Sequence, residues 1–524
     1  NVTGAIRAVV VNNQQLHGWV VRKKLTNRVL KIERLVVGGH DYQCLHILSL
    51  LFRICAAQRS PIWVGSWGAV NWSVMSKHLK VAIIGAGPAG IYAGNILKNQ
   101  HPDVEIDLFD SLPAPYGLIR YGVAPDHPRI KGIVNSLHEM LAEGTIRFYG
   151  NVTFGTDLHL KDIREHYHAV IFATGAIKDA QLNIPGIDLD GSYGAADFVS
   201  WYDGHPDVPR TWPLTAKSVA VIGNGNVALD AARMLAKHAD DLLVTEIPDN
   251  VYQGLKASPV TDVHVFGRRG PAQVKFSPLE LREALHVEGV QSIVYDEDFQ
   301  YDQGSQAAID SYNQVRVMVK TLEELKENPQ EHQERRLHLH FFASPVEVLG
   351  EDGKVVGLKV QRTKLDGTGN VTPIDEFETF PIQAVYRAVG YFGSPVDEIP
   401  FDSKHGVIQN SEGRVLDAAG VQMPGVYCTG WIKRGPVGLI GHTKSDAMET
   451  IANLIADREN WWQPSEPDEQ AVNATLQARG VAYLGWPEWL RIDARERNLG
   501  EQVGRERIKL YVREQMIEIG KDSK

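Results

Sequence analysis

The sequence is poor in cysteine. Its 524 residues include only Cys44, Cys55 and Cys428, and none of these belongs to a CxxC pair. Three isolated thiols cannot supply a disulfide framework or a dithiol redox centre. They are also too few for an iron–sulfur cluster held by the chain itself, which takes four ligands. The sequence therefore excludes both kinds of sulfur-based redox centre.

A long apolar segment is missing as well. The most apolar run, 45–57, is interrupted by His46 and Arg53 and is too short to span a membrane, so we expect no integral membrane span. The net charge of −10 argues against nucleic acid as the main partner. With 43% hydrophobic and 23% charged residues the composition is that of a globular protein, and the length allows two or three domains.

Acidic residues are scarce in the first 74 positions. Nine Lys and Arg stand there against two acids, Glu33 and Asp41, which gives the segment a net charge of +7. A shortage of acids is typical of an organellar transit peptide, but serine is not enriched and no methionine precedes Met75. Met75 stands six residues before the first glycine-motif strand, which begins at Val81. We therefore expect 1–74 to be extraneous or disordered and the protein to be cytoplasmic; the alternative is a transit peptide and a mitochondrial protein.

Two stretches combine an apolar run, a glycine turn and a helix pattern. The first is Gly85-x-Gly87-x-x-Gly90, directly after the run 81–84. In such a motif the first glycine makes a tight turn, the second lets a pyrophosphate approach the backbone, and the third lets the helix pack on the strand. The helix N-terminus then faces the phosphates. A second strand ends at Asp110, where an acid accepts hydrogen bonds from an adenosine ribose and repels a 2′-phosphate.

The second motif is Gly223-x-Gly225-x-x-Ala228. Its return strand is predicted at 262–266, and Arg268 and Arg269 follow where the first site has an acid. Guanidinium groups match a phosphate in charge and in fork geometry, so this motif predicts an NADP(H) site. The stretch 238–259, which lengthens the path to the return strand, is predicted to be an inserted loop.

The two sites therefore hold different molecules. One site excludes a 2′-phosphate and the other recognises it. Two such sites in one chain predict a flavin in the first and, in the second, a nicotinamide that delivers hydride to it.

Four stretches of the sequence resemble one known family. They are "PAPYGLIRYGVAPDHPRIKG" (113–132), "IGNGNVALDAARML" (222–235), "GRRGPAQVKFSPLELRE" (267–283) and "GVYCTGWIKRGPVGLIGHT" (425–443). All four closely resemble the adrenodoxin reductase-like family of ferredoxin–NADP+ reductases, and the match runs from about residue 80 to about residue 457. The resemblance implies an α/β fold of two Rossmann-like dinucleotide-binding domains, with the NADP domain inserted in a split FAD domain.

The same split is suggested by two small-residue segments, 169–176 and 384–391, at which the chain is expected to leave and re-enter the FAD domain. The predicted domains are an N-terminal segment 1–74, the first FAD part 75–177, an NADP domain 178–386, the second FAD part 387–460 and a C-terminal helical extension 461–524. We expect the extension to pack onto the body.

The resemblance also implies contact residues. Gly85, Gly87 and Gly90 belong to the first motif, and Ala89, Asp110, Leu118, Phe154, Trp431, Gly438, Leu439 and Ile440 are expected to contact FAD. Trp431 stands where many flavoproteins with two dinucleotides have an aspartate, and it is the variant that this family carries. The expected NADP(H) contacts are Asn224, Gly225, Asn226, Val227, Arg268, Arg269, Glu280 and Gly438.

Hydride transfer between two stacked rings needs no nucleophile and no metal, because positioning supplies most of the catalysis. The resemblance places His127 beside the flavin. We interpret His127 and Asp230 as holders of ordered water or a proton route, and Glu280 as a holder of the nicotinamide carboxamide. Hydride transfer itself demands no base, so each residue also has a structural alternative. His127 would cap a loop, Asp230 would take part in a helix hydrogen bond, and Glu280 would be a surface carboxylate.

A flavin that accepts two electrons and releases them singly suits a ferredoxin-type iron–sulfur acceptor. Such a partner docks through a small transient interface and is steered by basic residues, because ferredoxins are usually acidic. The candidates are Arg282, Arg316, Lys320, Arg335, Arg336 and Lys433, and we expect a monomer.

Three other functions share parts of this pattern. A flavin reductase, quinone reductase or monooxygenase would use the same two nucleotide sites with a small-molecule acceptor. An electron-feeding subunit of a larger complex would carry a cysteine-rich segment upstream, where only Cys44 and Cys55 occur. A redox-sensing module would bind both nucleotides without hydride transfer, and reduction of its FAD by NADPH would exclude that role.

Overall fold

The computed structural model describes residues 5–12, 15–22, 79–438 and 440–522. They belong to two compact units, 1–77 and 78–524. In the smaller unit, β1 (Ala5–Asn12) and β2 (Gln15–Arg22) form an antiparallel hairpin in which Asn12 pairs with Gln15. The rest of the predicted N-terminal segment lies outside the described residues.

Seven strands form the first sheet of the larger unit. They are β3 (Leu79–Ile84), β4 (Val104–Asp110), β5 (Arg147–Gly150), β6 (Ala169–Phe172), β20 (Asn410–Ser411), β21 (Arg414–Leu416) and β22 (Gln422–Cys428). Their order is β20-β21-β22-β6-β3-β4-β5, with parallel pairing from β22 to β5. On β3, Val81 and Ile83 belong to one apolar core and Ala82 and Ile84 to another, so both faces of the sheet are covered, as a parallel sheet requires.

Six strands form the second sheet, all parallel where they pair. They are β8 (Ser192–Gly194), β9 (Ser218–Ile222), β10 (Asp262–Phe266), β11 (Val290–Ile293), β12 (Arg335–His340) and β16 (Ala384–Arg387), in the order β11-β12-β10-β9-β16-β8. This sheet is built entirely from chain that lies between β6 and β20 of the first sheet. The predicted fold class, an α/β fold with one Rossmann-like part inserted in another, is confirmed.

Two short strands connect the sheets. β7 (Lys178–Asp179) follows the first part of the first sheet, β17 (Tyr391–Phe392) follows β16, and the two pair antiparallel. An antiparallel sheet of β13 (Ala343–Glu351), β14 (Lys354–Leu365) and β15 (Val371–Phe380) and a pair of β18 (Phe401–Asp402) and β19 (Val407–Ile408) complete the strands. The chain thus leaves and re-enters the first sheet at one paired ribbon; the predicted domain boundaries themselves stay a prediction.

Helices cover both sheets. They are α1 (Pro88–Gln100), α2 (Leu118–Tyr121), α3 (Pro128–Lys131), α4 (Ile133–Ala142), α5 (Leu160–His166), α6 (Ala195–Tyr202), α7 (Asn226–Ala236), α8 (Asp249–Ala257), α9 (Pro278–Leu285), α10 (Gln303–Ser311), α11 (Asn313–Glu327), α12 (Trp431–Arg434), α13 (Ile440–Ala456), α14 (Glu469–Ala478), α15 (Trp486–Glu501) and α16 (Arg513–Lys521). Short 3-10 helices lie at Ala239–Leu242, Pro271–Gln273, Asp296–Asp298 and Arg458–Asn460. Among the described residues, no helix is both long and apolar enough to cross a membrane.

The prediction of a loop over 238–259 is wrong. This stretch contains a 3-10 helix and α8, and Val251 and Leu255 of α8 are buried in the core of the second sheet. The two residues are four positions apart and so share one helix face. The prediction of a loop rests on the extra length of the stretch, whereas the spacing of Val251 and Leu255 indicates a helix face.

The C-terminal extension packs onto the body, as expected. Trp489 and Ile492 of α15 and Met516 of α16 belong to the core of one face of the first sheet. Val472 and Leu476 of α14 belong to the core of the opposite face. The extension therefore contributes to both cores of this sheet.

Three histidines stack on one face of the second sheet. His264 of β10 lies opposite His338 of β12, with ring centroids 4.3 Å apart and planes inclined by 11°. His264 Nδ1 lies 3.0 Å from His340 Nε2, while His338 bonds Asp262 and Tyr295 through its two nitrogens. His264 and His338 thus lie face to face, whereas His264 and His340 meet edge to edge through one nitrogen each. The arrangement is a hydrogen-bonded stack, and a shared metal would require the rings to turn.

Burial keeps these rings neutral. Desolvation, reinforced by the neighbouring histidines, lowers the pKa of His264 to about 3 and that of His340 to about 2, and burial also lowers the pKa of His338. In the unfolded chain the same groups take up protons near pH 6.5. The folded state therefore binds fewer protons below that pH, and stability is lost as the pH falls from about 6.5 towards 3.

We predict that His340→Phe weakens this acid sensitivity. The phenyl ring retains the stacking against Phe266 and Tyr295 but does not titrate. The thermal midpoint should fall less between pH 7 and pH 4 in the variant than in the original chain, as measured by circular dichroism. His332→Phe, at an exposed histidine, is the matched control and should retain the original pH dependence. Equal slopes in all three proteins would contradict the assignment.

Candidate functional site

The two glycine turns have the same construction. Gly85 has φ 112°, its N–H donates to the Phe109 carbonyl at 2.7 Å, and a Cβ there would lie 2.4 Å from the Ala173 carbonyl oxygen. Gly223 has φ 148°, and a Cβ there would lie 2.2 Å from the Ala388 carbonyl oxygen. Only glycine fits such a close approach with positive φ. The predicted strand, turn and helix are confirmed at both motifs, since α1 begins at Pro88 and α7 at Asn226.

Asp110 is fixed at the end of β4 beside the first turn. One carboxylate oxygen accepts the N–H of Ala86 at 2.7 Å and the other accepts the N–H of Leu112 at 2.9 Å. Burial raises the pKa of Asp110 to about 6, although both hydrogen bonds oppose the shift. The carboxylate therefore holds the turn in shape, and its contact with a ribose stays a prediction.

Three predicted FAD contacts lie around the first turn. Leu118 begins α2 directly after Gly117, whose Cβ would lie 3.0 Å from the Cα of Gly87. A Cβ on Gly430 would lie 2.6 Å from the Cβ of Ala89, which places the turn before Trp431 against the start of α1. The motif that contains Gly87 and Gly90 is thus approached from two distant parts of the chain.

The second segment of the first sheet ends in a braced turn. The Asp446 carboxylate accepts the N–H of Gly430 at 2.5 Å and the hydroxyl of Thr429 at 3.1 Å, and the Trp431 ring lies 6.0 Å from that of Tyr391. Gly438 has φ 86° and stands two residues before α13, which begins at Ile440. Leu439 lies outside the described residues.

Phe154 lies at the edge of the core rather than in the glycine turn. Its ring makes an edge contact with Phe172 at 5.1 Å. Phe172 ends β6, the neighbour of β3. The contact of Phe154 with FAD stays a prediction.

The second turn is braced by the segment that follows β10. The carbonyl of Asn224 accepts the N–H of Lys275 at 2.9 Å, and the side-chain oxygen of Asn226 accepts the N–H of Ser277 at 2.9 Å. Gly225 is the N-cap of α7, and Val227 lies in its first turn. The N-terminus of α7 is therefore held open towards the end of β10, where a pyrophosphate would sit.

Arg268 and Arg269 have no charged partner in the described chain. Arg268 is exposed and Arg269 half-buried, and neither guanidinium makes a hydrogen bond or ion pair with another described residue. Their backbone is fixed, because the Arg268 carbonyl accepts the Thr363 hydroxyl and the Arg269 carbonyl accepts the Phe342 N–H. Two uncommitted guanidiniums on a rigid backbone fit a phosphate monoester.

A cluster of charges joins the segment before α3 to α7. His127 Nε2 lies 2.8 Å from Asp230 Oδ1, and Arg233 bonds both Asp230 at 2.9 Å and Asp126 at 2.8 Å. His127 Nδ1 lies 2.5 Å from a carboxylate oxygen of Glu283 on α9. The structure thus brings the predicted pair His127 and Asp230 together, although 103 residues separate them.

The cluster favours the charged form of His127. Burial opposes protonation, but the hydrogen bond and charge of Asp230 outweigh it and raise the pKa of His127. His127 Nε2 also lies 2.8 Å from the Arg233 guanidinium, while the Glu283 oxygen near Nδ1 has no hydrogen-bond partner in the described chain. The histidine is therefore fixed in orientation by its contacts with Asp230 and Arg233, at the junction of the two nucleotide sites.

Glu280 lies one helical turn before Glu283 and is buried. Its Oε2 has no hydrogen-bond partner among the described residues, and burial, with repulsion from Asp230, raises the pKa of Glu280. An unpaired buried acceptor of this kind fits a ligand amide, the role expected of Glu280.

Sequence reasoning missed Glu283, Arg233 and Asp126. Glu283 follows Glu280 by three residues, and Arg233 follows Asp230 by three, which places each pair on one helix face. That spacing was the one available signal, because the partners across the cluster are distant in sequence.

Three of the six basic candidates for partner binding are held inside the fold by their partners, and a fourth, Lys320, pairs with Glu324 on the exposed face of its own helix at 3.5 Å. The prediction is wrong for the three that are held inside the fold. Arg335 donates to the carbonyls of Ala236 and Lys237, and Arg336 pairs with Asp262. Both begin strand β12 rather than lying in a loop. Lys433 is buried and pairs with Asp446 and Glu449, and the three candidates on exposed helix surface are Arg282, Arg316 and Lys320.

Comparison with known proteins agrees with this geometry. The family model for pyridine nucleotide-disulphide oxidoreductases matches residues 79–263. NADPH:adrenodoxin oxidoreductase of Homo sapiens is 37% identical over 469 residues, covering 86% of this chain and 93% of that protein. NADPH-ferredoxin reductase FprA of Mycobacterium tuberculosis is 38% identical over 457 residues, covering 84% and 98%. The chain belongs to the adrenodoxin reductase family.

The similarity to the adrenodoxin reductase family extends to the three-dimensional fold. M. tuberculosis FprA in complex with NADPH superposes with a TM-score of 0.78 at 36% identity, covering 84% of this chain and 99% of that one. The family resemblance seen in the four sequence stretches is thereby confirmed.

We predict that Arg268 and Arg269 discriminate NADPH from NADH. Replacing both by leucine should raise KM for NADPH by about ten- to a hundred-fold, the effect of losing charged hydrogen bonds, and leave KM for NADH nearly unchanged. Ferricyanide reduction measures this without a protein acceptor. Arg164→Leu, at an exposed arginine beside Trp462, is the matched control. Equal losses with both nucleotides would contradict a phosphate-specific role.

We also predict that Asp230→Asn lowers the pKa of His127. The loss of one opposite charge and one hydrogen-bond acceptor at this distance should lower it, because both favour the protonated ring. Histidine-selective 13C NMR measures the titration, with His127→Asn to assign the signal. Asp397→Asn, at an exposed aspartate near His159, serves as the control. An unchanged His127 titration would show that Asp230 does not set its charge.

Proposed function

We propose that the chain is an FAD flavoprotein that takes hydride from NADPH and passes single electrons to a ferredoxin-type iron–sulfur protein. One observation carries the proposal. The chain has one glycine turn beside the acid Asp110 and a second beside the bases Arg268 and Arg269, and the His127 cluster joins the two. The names of the relatives agree, since the human protein is an NADPH:adrenodoxin oxidoreductase and the M. tuberculosis protein an NADPH-ferredoxin reductase.

The residues of the first site fit FAD. The close approach of Gly87 and Gly117 leaves bare backbone where a pyrophosphate must lie against the chain. Asp110 stands at the ribose position, and the turn at Gly430 approaches from the far segment. An acid at that position disfavours a 2′-phosphate, so the site suits FAD and not NADP(H).

The residues of the second site fit NADP(H). The α7 N-terminus, Arg268 and Arg269 supply positive charge for the pyrophosphate and the 2′-phosphate. The unpaired oxygen of buried Glu280 supplies an acceptor for the carboxamide. Glu280 also lies on α9, the helix whose Glu283 carboxylate lies beside His127, so the nicotinamide end of the second site is close to the first site.

When both are bound, the flavin supplies the chemistry of accepting a hydride and giving up electrons one at a time. The chain's own contribution is orientation. Asp230 bonds His127, a carboxylate oxygen of Glu283 lies near its other nitrogen, and Arg233 pairs with Asp230 and Asp126. His127 is thereby fixed in place, in keeping with a role in water order or proton supply.

The acceptor site is proposed to include the exposed basic residues Arg282, Arg316 and Lys320, which would steer an acidic ferredoxin by charge. Both nucleotide sites are formed within a single chain, which supports a monomer. We propose a cytoplasmic protein of the ferredoxin–NADP+ reductase class; the mitochondrial names of the human and Arabidopsis thaliana relatives support the alternative location.

We predict that NADPH bleaches the flavin absorbance of the holoprotein under anaerobic conditions and that NADH does so poorly. Adding a ferredoxin should then raise NADPH-driven cytochrome c reduction at least several-fold over the protein alone. Ferredoxin without the enzyme is the control. Rapid NADPH consumption with oxygen or a quinone, unaffected by ferredoxin, would instead indicate a flavin reductase with a small-molecule acceptor.

A further inference from the structure

Buried charges meet where three parts of the chain come together. Glu496 and Lys509 come from the C-terminal extension, Arg120 from the segment that links Leu118 to His127, and Asp203 and Glu246 from the chain that forms the second sheet. Glu496 is fully buried, and Arg120 and Lys509 are 4% and 2% exposed. Side chains of this type are almost never buried unless they are paired.

Glu496 holds Arg120. The carboxylate accepts two hydrogen bonds from the Arg120 guanidinium, one of them at 3.0 Å. It also accepts the N–H of Leu510 at 2.8 Å and lies 3.3 Å from Arg507. The segment between Leu118 and His127 is therefore tied to two parts of the extension by one carboxylate.

Lys509 holds the second sheet to the same point. Its ammonium group donates to the carbonyl of Arg120 and lies 3.1 Å from the carboxylate of Asp203 and 2.9 Å from that of Glu246. Lys131, four residues after His127, pairs with the same two acids at 3.2 and 2.7 Å. The Lys509 ammonium group thus bonds both the segment that contains Arg120, which leads to His127, and the chain that carries the second nucleotide site.

Trp489 supports the same segment from the apolar side. Its ring lies 5.1 Å from the Arg120 guanidinium and makes an edge contact with Tyr116 at 5.9 Å. Tyr116 has φ 84°, a conformation that a bulky residue adopts only when its surroundings enforce it. Tyr116 precedes Gly117, whose approach to Gly87 shapes the first nucleotide site.

We propose that the extension is a positioning element of the redox site: Glu496 and Lys509 hold the segment from Tyr116 to Lys131 in register with the chain that carries the second nucleotide site. The proposal rests on the proposed function, since the register matters because of hydride transfer. Reacting atoms must lie about 3–3.5 Å apart, and a displacement of about 1 Å costs about a hundredfold in rate.

The energetics favour a positioning role over simple stabilisation. A buried ion pair adds little net stability compared with apolar side chains of the same shape, because both charges lose their hydration. Directional hydrogen bonds, in contrast, permit only one arrangement of the groups that they join. The seven charged residues at this junction of three segments therefore specify geometry more than they strengthen the fold.

The test is Lys509→Met, studied as the FAD-loaded full chain. We expect the limiting rate of flavin reduction by NADPH to fall about ten- to a hundred-fold in stopped-flow, with NADP+ affinity and reduction by dithionite unchanged. Hydrogen exchange should become faster in 116–131. Lys521→Met, at an exposed lysine of α16 beside Tyr483, is the matched control and should change neither.

A second variant separates positioning from stability. Lys509→Met removes one positive charge and leaves Asp203 and Glu246 with Lys131 and, at 3.8 Å from Glu246, Arg507, so Glu246→Gln in the same chain restores the local charge balance. The double variant should regain the thermal midpoint lost by the single variant but not its rate of flavin reduction. Recovery of the rate together with the midpoint, or an unchanged rate per bound flavin in Lys509→Met, would overturn the proposal.

The two proposals fail in different ways. If NADPH does not bleach the flavin of the original chain, the proposed function fails. The hydrogen-exchange comparison still reports on the positioning role in that case, because it needs no turnover. Normal exchange in 116–131 of Lys509→Met would overturn that role whatever the reaction.

Discussion

The structure depends on one contact between the two nucleotide sites. Side chains of α7 form hydrogen bonds and ion pairs with the segment that contains Asp126 and His127. The first residues of α7 form the second glycine turn, and later residues of the same helix, Asp230 and Arg233, bond the flavin-side segment. A helix is stiff over this length, so the pyrophosphate end and the His127 end move together. The helix α7 thereby fixes the position of one nucleotide site relative to the other.

The local parts of the site were predictable from sequence, and the parts that join distant segments were not. Both glycine turns, the return strand that ends at Phe266 and the uncommitted pair Arg268 and Arg269 follow from short-range patterns, because strand, turn and helix are fixed by neighbouring residues. The bond of His127 to Asp230 joins residues on different elements. Single-sequence spacing carries no information about such a bond, and only the resemblance to a family brought His127 and Asp230 into one hypothesis.

The errors have a common physical cause. Arg335, Arg336 and Lys433 carry the charge that steers a partner, and their types alone predict exposure. Each instead bonds another part of the fold. Arg335 donates to helix carbonyls, and the other two pair with carboxylates. The helix α8 was missed for a different reason, because the extra length of 238–259 favours a loop and the helix pattern of Val251 and Leu255 is short.

The ribbon of β7 and β17 limits how the two sheets can move. A single linker permits rotation about its own bonds, but two crossings that hydrogen-bond to each other resist twisting and permit bending across the ribbon. Opening of the kind that admits or releases a nucleotide would then preserve the alignment of the two rings about the ribbon's long axis.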